Sequence, residues 1–294
     1  MANYRILNLV NGKNEKWELT DRNFKTFASD ISGFGVSKSL SLLRIGLAQG
    51  VTNAQYNLDQ IRYTVNFYDS DIVEQYKKYN DFVRFLSHRP LSQEYLIPSS
   101  KTVYVRDVEL VSLNKTEVNP ATHSLECEIV LQPLTFWQDK ESHCIITDNT
   151  VEVAKNYPLS RPYAYGNYSL SNIAINTDGF LDTSLEITID GQCQDPAYML
   201  YDESGELYGI GRFVGTFDSV YVNSDEMNQQ IILTRGGIEL DNAWSYRDLT
   251  VGKPNEVAVT FLKLKPGKSR LAFRLDQSFD GKVMIEWRNR YASV

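Results

Sequence analysis

With 294 residues, 42% hydrophobic and 23% charged, the chain has the composition of a soluble globular protein and the length of one large or two ordinary domains. Thirty basic against 37 acidic side chains give a net charge of −7, and without a Lys/Arg-rich block this weighs against a nucleic-acid-binding protein. No charged-then-apolar leader opens the sequence and no apolar run approaches the ~20 residues of a membrane span. Cys127, Cys144 and Cys193 lack CxxC spacing and read as reduced thiols in a protein assembled in a cytoplasm.

Eighteen Tyr, thirteen Phe and four Trp lean toward β structure and extensive contact surfaces. Tyr4 to Val10 reads as a first strand and Lys16 to Leu19 as a second, joined at Asn11-Gly12, where both residues tolerate the positive φ of a two-residue hairpin turn. Thr20 to Gly50 is punctuated by Gly and Ser but carries Phe24, Phe27, Phe34, Leu42, Leu43 and Ile45. These side chains either fill the domain's own core or face a partner. Tyr56 to Phe67 is strand-like, with Ile61, Tyr63, Val65 and Phe67 on one face. A helix over 71–89 follows: Ser70-Asp71 caps it, and Glu74 three positions beyond Asp71 completes a capping box. Ile72, Tyr76, Tyr79, Val83 and Leu86 recur at helical spacing, and Pro90 stops the helix. Its polar face mixes both signs of charge, which does not suit membrane binding.

The centre of the chain is Tyr104 to Trp137. Leu125, Cys127, Ile129 and Leu131 alternate with Glu126, Glu128 and Gln132, Val130 being the apolar exception on the polar face; a period of two is that of a half-buried strand. Tyr104 to Leu113 is its expected partner, with Asn119-Pro120 breaking the chain between them, and Leu134, Phe136 and Trp137 are expected to close the unit as an apolar plug after Pro133. Asp139 to Pro158 reads as a linker or crossing strand, and Tyr157-Pro158, Arg161-Pro162 and Gly166 mark a boundary. The expected domains are 1–150, a β domain with one amphipathic helix, and 151–294, a β-sandwich or jelly-roll. In the second, short strands are expected at Leu170–Ile175, Leu185–Ile189, Tyr198–Tyr201, Leu207–Ile210, Val220–Val222, Gln230–Thr234, Val257–Leu262, Arg270–Leu275 and Val283–Trp287. Turns at Asp178-Gly179, Asp190-Gly191, Ser204-Gly205, Gly236-Gly237, Pro266-Gly267 and Asp280-Gly281 separate them.

Charge is unevenly spread: residues 178–248 hold fourteen acids and three bases, and 261–294 eight bases and three acids. Either the two attract within one domain and are solvated, or they form complementary patches that orient neighbouring subunits.

The sequence names no catalytic, cofactor or metal residues. His88, His123 and His143 fall on a helix end, a loop and a linker, and nothing marks a nucleophile–His–carboxylate set. The adjacency of His143 and Cys144 is weak evidence for a dyad. There is no HxxxH, paired CxxC or calcium loop, and Asn223-Ser224-Asp225-Glu226 reads as a solvated turn. Gly209-Ile210-Gly211 lies between strand-like segments and needs no phosphate. Gly267-Lys268-Ser269 copies the end of a Walker loop, but Leu262 stands where its first glycine belongs. Trp244-Ser245-Tyr246 offers aromatics that stack on a sugar or pack in a core or interface. Paired carboxylates leave no signature to find among 37 acids.

The order of parts carries a resemblance. Tyr104–Leu110 followed by Leu125–Trp137, the Leu264-Lys265-Pro266-Gly267 turn and the terminal Trp287-Arg288-Asn289-Arg290-Tyr291 together resemble the distal tail (Dit) proteins of long-tailed, non-contractile bacteriophages, over nearly the whole chain. The resemblance implies a mainly β fold in which an N-terminal domain forms a homo-hexameric ring and a C-terminal galectin-like or carbohydrate-module-like sandwich projects outward. It implies a structural, non-enzymatic hub without a cofactor. Such a hub sits in the virion tail tip or baseplate, assembled in the bacterial host cytoplasm. There it joins the tail tube (the major tail protein or the tape-measure end) to the tail-associated protein and to receptor-binding or baseplate proteins, with no nucleic acid and no membrane insertion. One ring or two back to back both fit. Galectins read galactosides with a His-Asn-Arg set, and 151–294 holds no histidine, so docking of partner proteins is the expected use of the sandwich. The alternative is a carbohydrate-binding adhesion module contacting the host surface.

Overall fold

The computed structural model describes residues 6–20, 26–45, 48–119, 121–148, 168–248, 261–275 and 279–294. Tyr4, Phe24, Pro120, the boundary near residue 150, Tyr157-Pro158, Arg161-Pro162, Gly166, residues 257–260 of the expected strand Val257–Leu262 and the side chain of Ile45 lie outside what is described. The described chain is mainly β with one α-helix. It forms two compact units, one of Met1–Glu141 with Arg290–Val294, the other of Ser142–Asn289. The second is thus inserted into the first, close to its C-terminal end.

Unit 1 contains β1 (Ile6–Val10), β2 (Lys16–Glu18), β3 (Thr26–Ser32), β4 (Lys38–Ile45), β5 (Ala48–Tyr56), β6 (Ile61–Tyr68), α1 (Ile72–Ser87), β7 (Leu91–Ile97), β8 (Thr102–Lys115), β9 (Ser124–Pro133) and β10 (Trp137–Asp139). The main sheet has the order β2-β1-β7-β8-β9-β6-β3, with β10 paired to β8 and to the late strand Arg290–Tyr291; β4 and β5 form a two-stranded sheet of their own. The alternation read from the sequence becomes a ladder: Ile61, Tyr63, Val65 and Phe67 stand opposite Leu131, Ile129, Cys127 and Leu125, and all eight side chains are buried. Burying each large aliphatic or aromatic member is worth about 1.5–3 kcal/mol. Glu126 and Glu128 face water on the other side, but Val130 is buried.

Asp71 caps α1, its Oδ1 accepting the Val73 N–H at 2.8 Å. The expected reciprocal bond from Glu74 is not made: the Asp71 N–H donates to Asp69 Oδ1 at 3.2 Å, and Glu74 pairs with Lys77. The helix is also rotated from the expected stripe. Gln75, Phe82, Phe85 and Leu86 are buried, and Tyr76 and Tyr79 pack beside them, but Ile72 is 50% exposed and Val83 also faces out. The large rings win the inner face, Phe82 lying 5.0 Å from Trp17 and 5.6 Å from Phe67. The buried Gln75 amide donates to the carbonyls of Asp69 and His123.

Two other expectations for unit 1 change. The β1–β2 loop spans Asn11–Glu15, since Val10 pairs with Lys16, and the left-handed residue is Asn14, at φ 61. Gly12 is required for a different reason: a Cβ there would sit 2.1 Å from the Arg89 carbonyl oxygen. Of the expected plug only Trp137 points inward; Leu134 is exposed and Phe136 half-buried.

Unit 2 contains β11 (His143–Asp148), β12 (Tyr168–Thr177), β13 (Thr183–Gln194), β14 (Ala197–Tyr201), β15 (Leu207–Arg212), β16 (Thr216–Asn223), β17 (Gln230–Arg235), β18 (Ile238–Glu239), β19 (Lys263–Leu264), β20 (Gly267–Leu275) and β21 (Lys282–Trp287); Arg290–Tyr291 is β22. One sheet has the order β11-β21-β13-β16-β17-β18, with β19 paired to β13, and a second the order β12-β20-β14-β15. Both contribute to one core, with Ile187, Val222, Leu233 and Ile285 from the first and Tyr198, Leu200, Leu271 and Phe273 from the second. The segment after Asp139 is therefore a crossing strand rather than a linker. Asp190-Gly191 is not a turn but an irregularity within β13, where the register to β16 shifts between Asp190 and Cys193. β20 runs between β12 and β14, and β21 between β11 and β13, and ion pairs join the basic and acidic stretches within the unit. Lys263 pairs with Glu226, and Lys268 with Glu203 at 3.6 Å.

Among the described residues of unit 1, one carboxylate is buried. Glu94 on β7 receives Lys16 at 2.6 Å and Lys140 at 2.5 Å. Burial alone would raise its pKa, but the hydrogen bonds from Lys140 and Lys16 outweigh it and hold the carboxyl below its ordinary range. A folded-state pKa below the unfolded one means stability that is complete above the ordinary value of 4.5 and lost as pH falls through the folded value. Glu94→Gln is expected to cost about 1–3 kcal/mol at neutral pH, a gap from wild type that closes in acid denaturation series below about pH 4. Phe82→Ala is expected to cost about 3–5 kcal/mol in urea unfolding and Ile72→Ala less than about 1 kcal/mol; equal costs would refute the helix phase.

Candidate interaction surfaces

The residues that the sequence left between core and partner divide cleanly. Phe27 stacks on Tyr68 at 5.5 Å, and Phe34 packs on Tyr95 and Trp137 at 6.5 and 6.2 Å. Leu42 and Leu43 do not join the core. They lie on β4, which pairs only with β5, with Leu42 opposite Val51 and Leu40 opposite Ala54. Leu40, Leu42, Leu43 and Val51 are 53%, 52%, 55% and 59% exposed. The hairpin is held by its own ladder and by small polar contacts: Ser39 Oγ donates to Asn57 Oδ1 at 2.8 Å, Asn57 Nδ2 donates to Ser37 Oγ at 3.0 Å, and Lys38 Nζ lies 4.2 Å from the Tyr56 ring centre. An isolated two-stranded hairpin is marginal in water, and one that also presents aliphatic side chains is suited to being covered.

The candidates for chemistry are dispersed. His88 ends α1, and His123 occupies a turn at φ 49. His143 belongs to unit 2, so the second unit does hold one histidine; its ring stacks on Trp287 at 5.3 Å, with Asn289 Nδ2 3.0 Å from its Nε2. Neighbouring residues on a strand point to opposite faces, which separates His143 from Cys144. No disulfide joins the three cysteines, of which Cys144 is exposed and the other two buried; burial pushes the Cys127 thiol up to about 12, which makes it inert at neutral pH.

The 223–226 turn is closed by its own side chains: Asn223 Oδ1 accepts the Asp225 N–H and Asp225 Oδ1 the Met227 N–H. Among the described residues no three His, Cys, Asp or Glu gather as metal ligands, and no helix is long and apolar enough to cross a membrane. Gly209 and Gly211 are packing glycines, since a Cβ would meet Leu262 at 2.5 Å or the Tyr198 ring at 2.2 Å. Gly267 opens β20 at φ 96, in the short connection from β19 rather than in a phosphate loop. Trp244 is 44% exposed, but Arg247 covers its ring at 4.4 Å and Phe261 meets it edge-on at 5.3 Å. Tyr246 is engaged by Phe217 at 5.7 Å and Arg235 at 5.6 Å.

Residues 6–134 match the family described as the distal tail protein, N-terminal domain. No curated protein matches the chain. Among solved structures, a chain of the phage P2 baseplate in its activated conformation with Ca is 16% identical with a TM-score of 0.55, over 99% of this chain and 100% of that one. The corresponding structure with Sr gives the same values. The phage SPP1 Dit (gp 19.1) protein, described as a paradigm of the hub adsorption apparatus in phages infecting Gram-positive hosts, is 10% identical with a TM-score of 0.59, over 96% and 98% of the two chains. At these identities the structures show a shared fold.

Because the hairpin side chains contact no core, Leu42→Glu with Val51→Glu is expected to change unfolding free energy by no more than about 0.5 kcal/mol per site, read by urea denaturation at a dilution where the protein is monomeric.

Proposed function

We propose, from the match of residues 6–134 to the distal tail protein, N-terminal domain, that this chain is the structural hub of a phage tail tip or baseplate, working by assembly rather than by turnover. Six copies close a ring through unit 1 and join the tail tube to the tail-associated and receptor-binding proteins of the virion, after assembly in the host cytoplasm. Unit 2 serves as a docking platform for those proteins.

The observation that carries the ring is the β4–β5 hairpin, which leaves Leu40, Leu42, Leu43 and Val51 half-exposed. Covering the exposed part of each is worth about 1 kcal/mol, too little to offset the association entropy of a lone pair. Heterologous contacts that close under rotation make every copy both donor and acceptor of such a surface, and closure lets weak interfaces act together. The engaged rings of Trp244 and Tyr246 favour docking over stacking on a sugar.

Light scattering and negative-stain microscopy at micromolar concentration are expected to show a six-fold ring for the wild type and smaller species for Leu42→Glu with Val51→Glu. A protein that stays monomeric and binds host wall polysaccharide would establish the adhesion-module reading instead.

A further inference from the structure

In the sheet of unit 2 ordered β11-β21-β13-β16-β17-β18, Ile145, Ile285, Ile187, Val222 and Ile231 form one cross-strand row turned to the core. Side chains one residue along each strand point the other way. There Ile146, Met284, Thr188, Tyr221 and Ile232 stand in a second row, about 19 Å long at the usual strand spacing. Ile146 is 59% exposed, and the other four are half-buried. On one flank of this row Lys282 stands opposite Asp190, a balanced pair of charges. On the other flank stand Cys144, Glu286 and Glu186.

Glu186 and Glu286 are direct cross-strand partners, and like charges so placed destabilise a sheet. Glu186 accepts the Tyr221 hydroxyl at 3.1 Å. Among the described residues no Lys or Arg pairs with either carboxylate. Lys263, opposite Ser184, is held by Glu226, and Arg288 lies exposed past the end of β21. Burial first, then the charge of Glu186 and last that of Glu286, raise the Tyr221 phenol above its ordinary range. Both carboxylates therefore act on the apolar row.

Resting on the reading of unit 2 as a docking platform, we propose that this outer face binds a partner protein presenting apolar side chains beside a lysine or arginine. One cation of the partner settles between Glu186 and Glu286. Opposed side chains in a sheet have Cβ atoms about 4.5–5.5 Å apart, so one ammonium or guanidinium reaches both carboxylates. Tyr221 and Met284 suit the centre of such a contact, where aromatic residues and Met are enriched. A second copy of this chain, turned onto the face by a two-fold axis, brings the same two carboxylates with it. That adds negative charge where a cation is wanting.

Cys144 reports on the face, because it stands beside Glu286 and is exposed while the other two cysteines are buried. Its modification by a bulky maleimide is timed on the full chain with two amphipathic helical peptides of about 14 residues, or about 21 Å. One is built of leucine and lysine, the other of leucine and glutamate. The lysine peptide is expected to slow modification and the glutamate peptide to leave it unchanged. Glu186→Gln with Glu286→Gln is expected to raise the half-protecting concentration about tenfold, the loss of one charged hydrogen bond. Glu203→Gln with Glu206→Gln, exposed on the β14–β15 turn, is expected to leave it unchanged, which excludes general attraction to an acidic protein. Without peptide, Glu286→Gln alone is expected to raise the urea midpoint by removing the opposed charge. Protection that is absent, or indifferent to Glu186→Gln with Glu286→Gln, overturns the site. Modification that slows with rising protein concentration alone gives the face to a second copy and overturns the partner. The same rates on Leu42→Glu with Val51→Glu keep a failure of the ring distinct from a failure of this face.

Discussion

The eight-residue ladder between β6 and β9 is the constraint from which unit 1 follows. Ile61, Tyr63, Val65 and Phe67 face Leu131, Ile129, Cys127 and Leu125 in register, and slipping either strand by one residue would turn all four of its side chains to the wrong face. The register therefore fixes which side of the sheet is dry. It then places α1, since Phe82 and Phe85 bury themselves against that side. With helix and sheet satisfied, the core has no use for the β4–β5 hairpin, which remains outside as surface available to another molecule.

Strands and helix that follow simple periodicity are legible in the sequence, and β6, β9, β13 and β20 are of that kind. Helix phase is less so, because Ile72, Val83 and Phe82 are all apolar and only the fit against Trp17 and Phe67 decides between them. β7 escapes a periodic reading because its interior positions include Gln93 and Glu94. Cross-strand partners make those polar groups tolerable: Arg106 stands directly opposite Gln93, and two lysines meet Glu94. Arg106 did leave a trace, since it shares the inward parity of Val108 and is the odd residue on an apolar face. What the sequence does not encode locally is the meeting of Arg106 with Trp137, which lies 31 positions away.

Unit 2 gives several of its acids structural partners. Their carboxylates are spent on turns and ion pairs: Asp195 accepts the Gly215 N–H at 2.7 Å, Asp202 accepts the Glu206 N–H at 2.9 Å, and Asp248 pairs with Arg212 at 3.3 Å. Some of its glycines serve close packing, as at Gly281, where a Cβ would fall 2.1 Å from the Asp190 carbonyl oxygen. A sandwich stapled in this way tolerates changes in loop composition without loss of the fold.

The pairing of β10 with β22, Trp137 opposite Tyr291 and Gln138 opposite Arg290, has a consequence for how the chain comes into being. During synthesis the ribosome delivers 148 residues of the inserted unit, Ser142 to Asn289, before the strand that completes the first sheet exists. Until then one border of that sheet is bare, and self-association through it would be premature. Translation order thus makes synthesis of the inserted unit a precondition for sealing the older one.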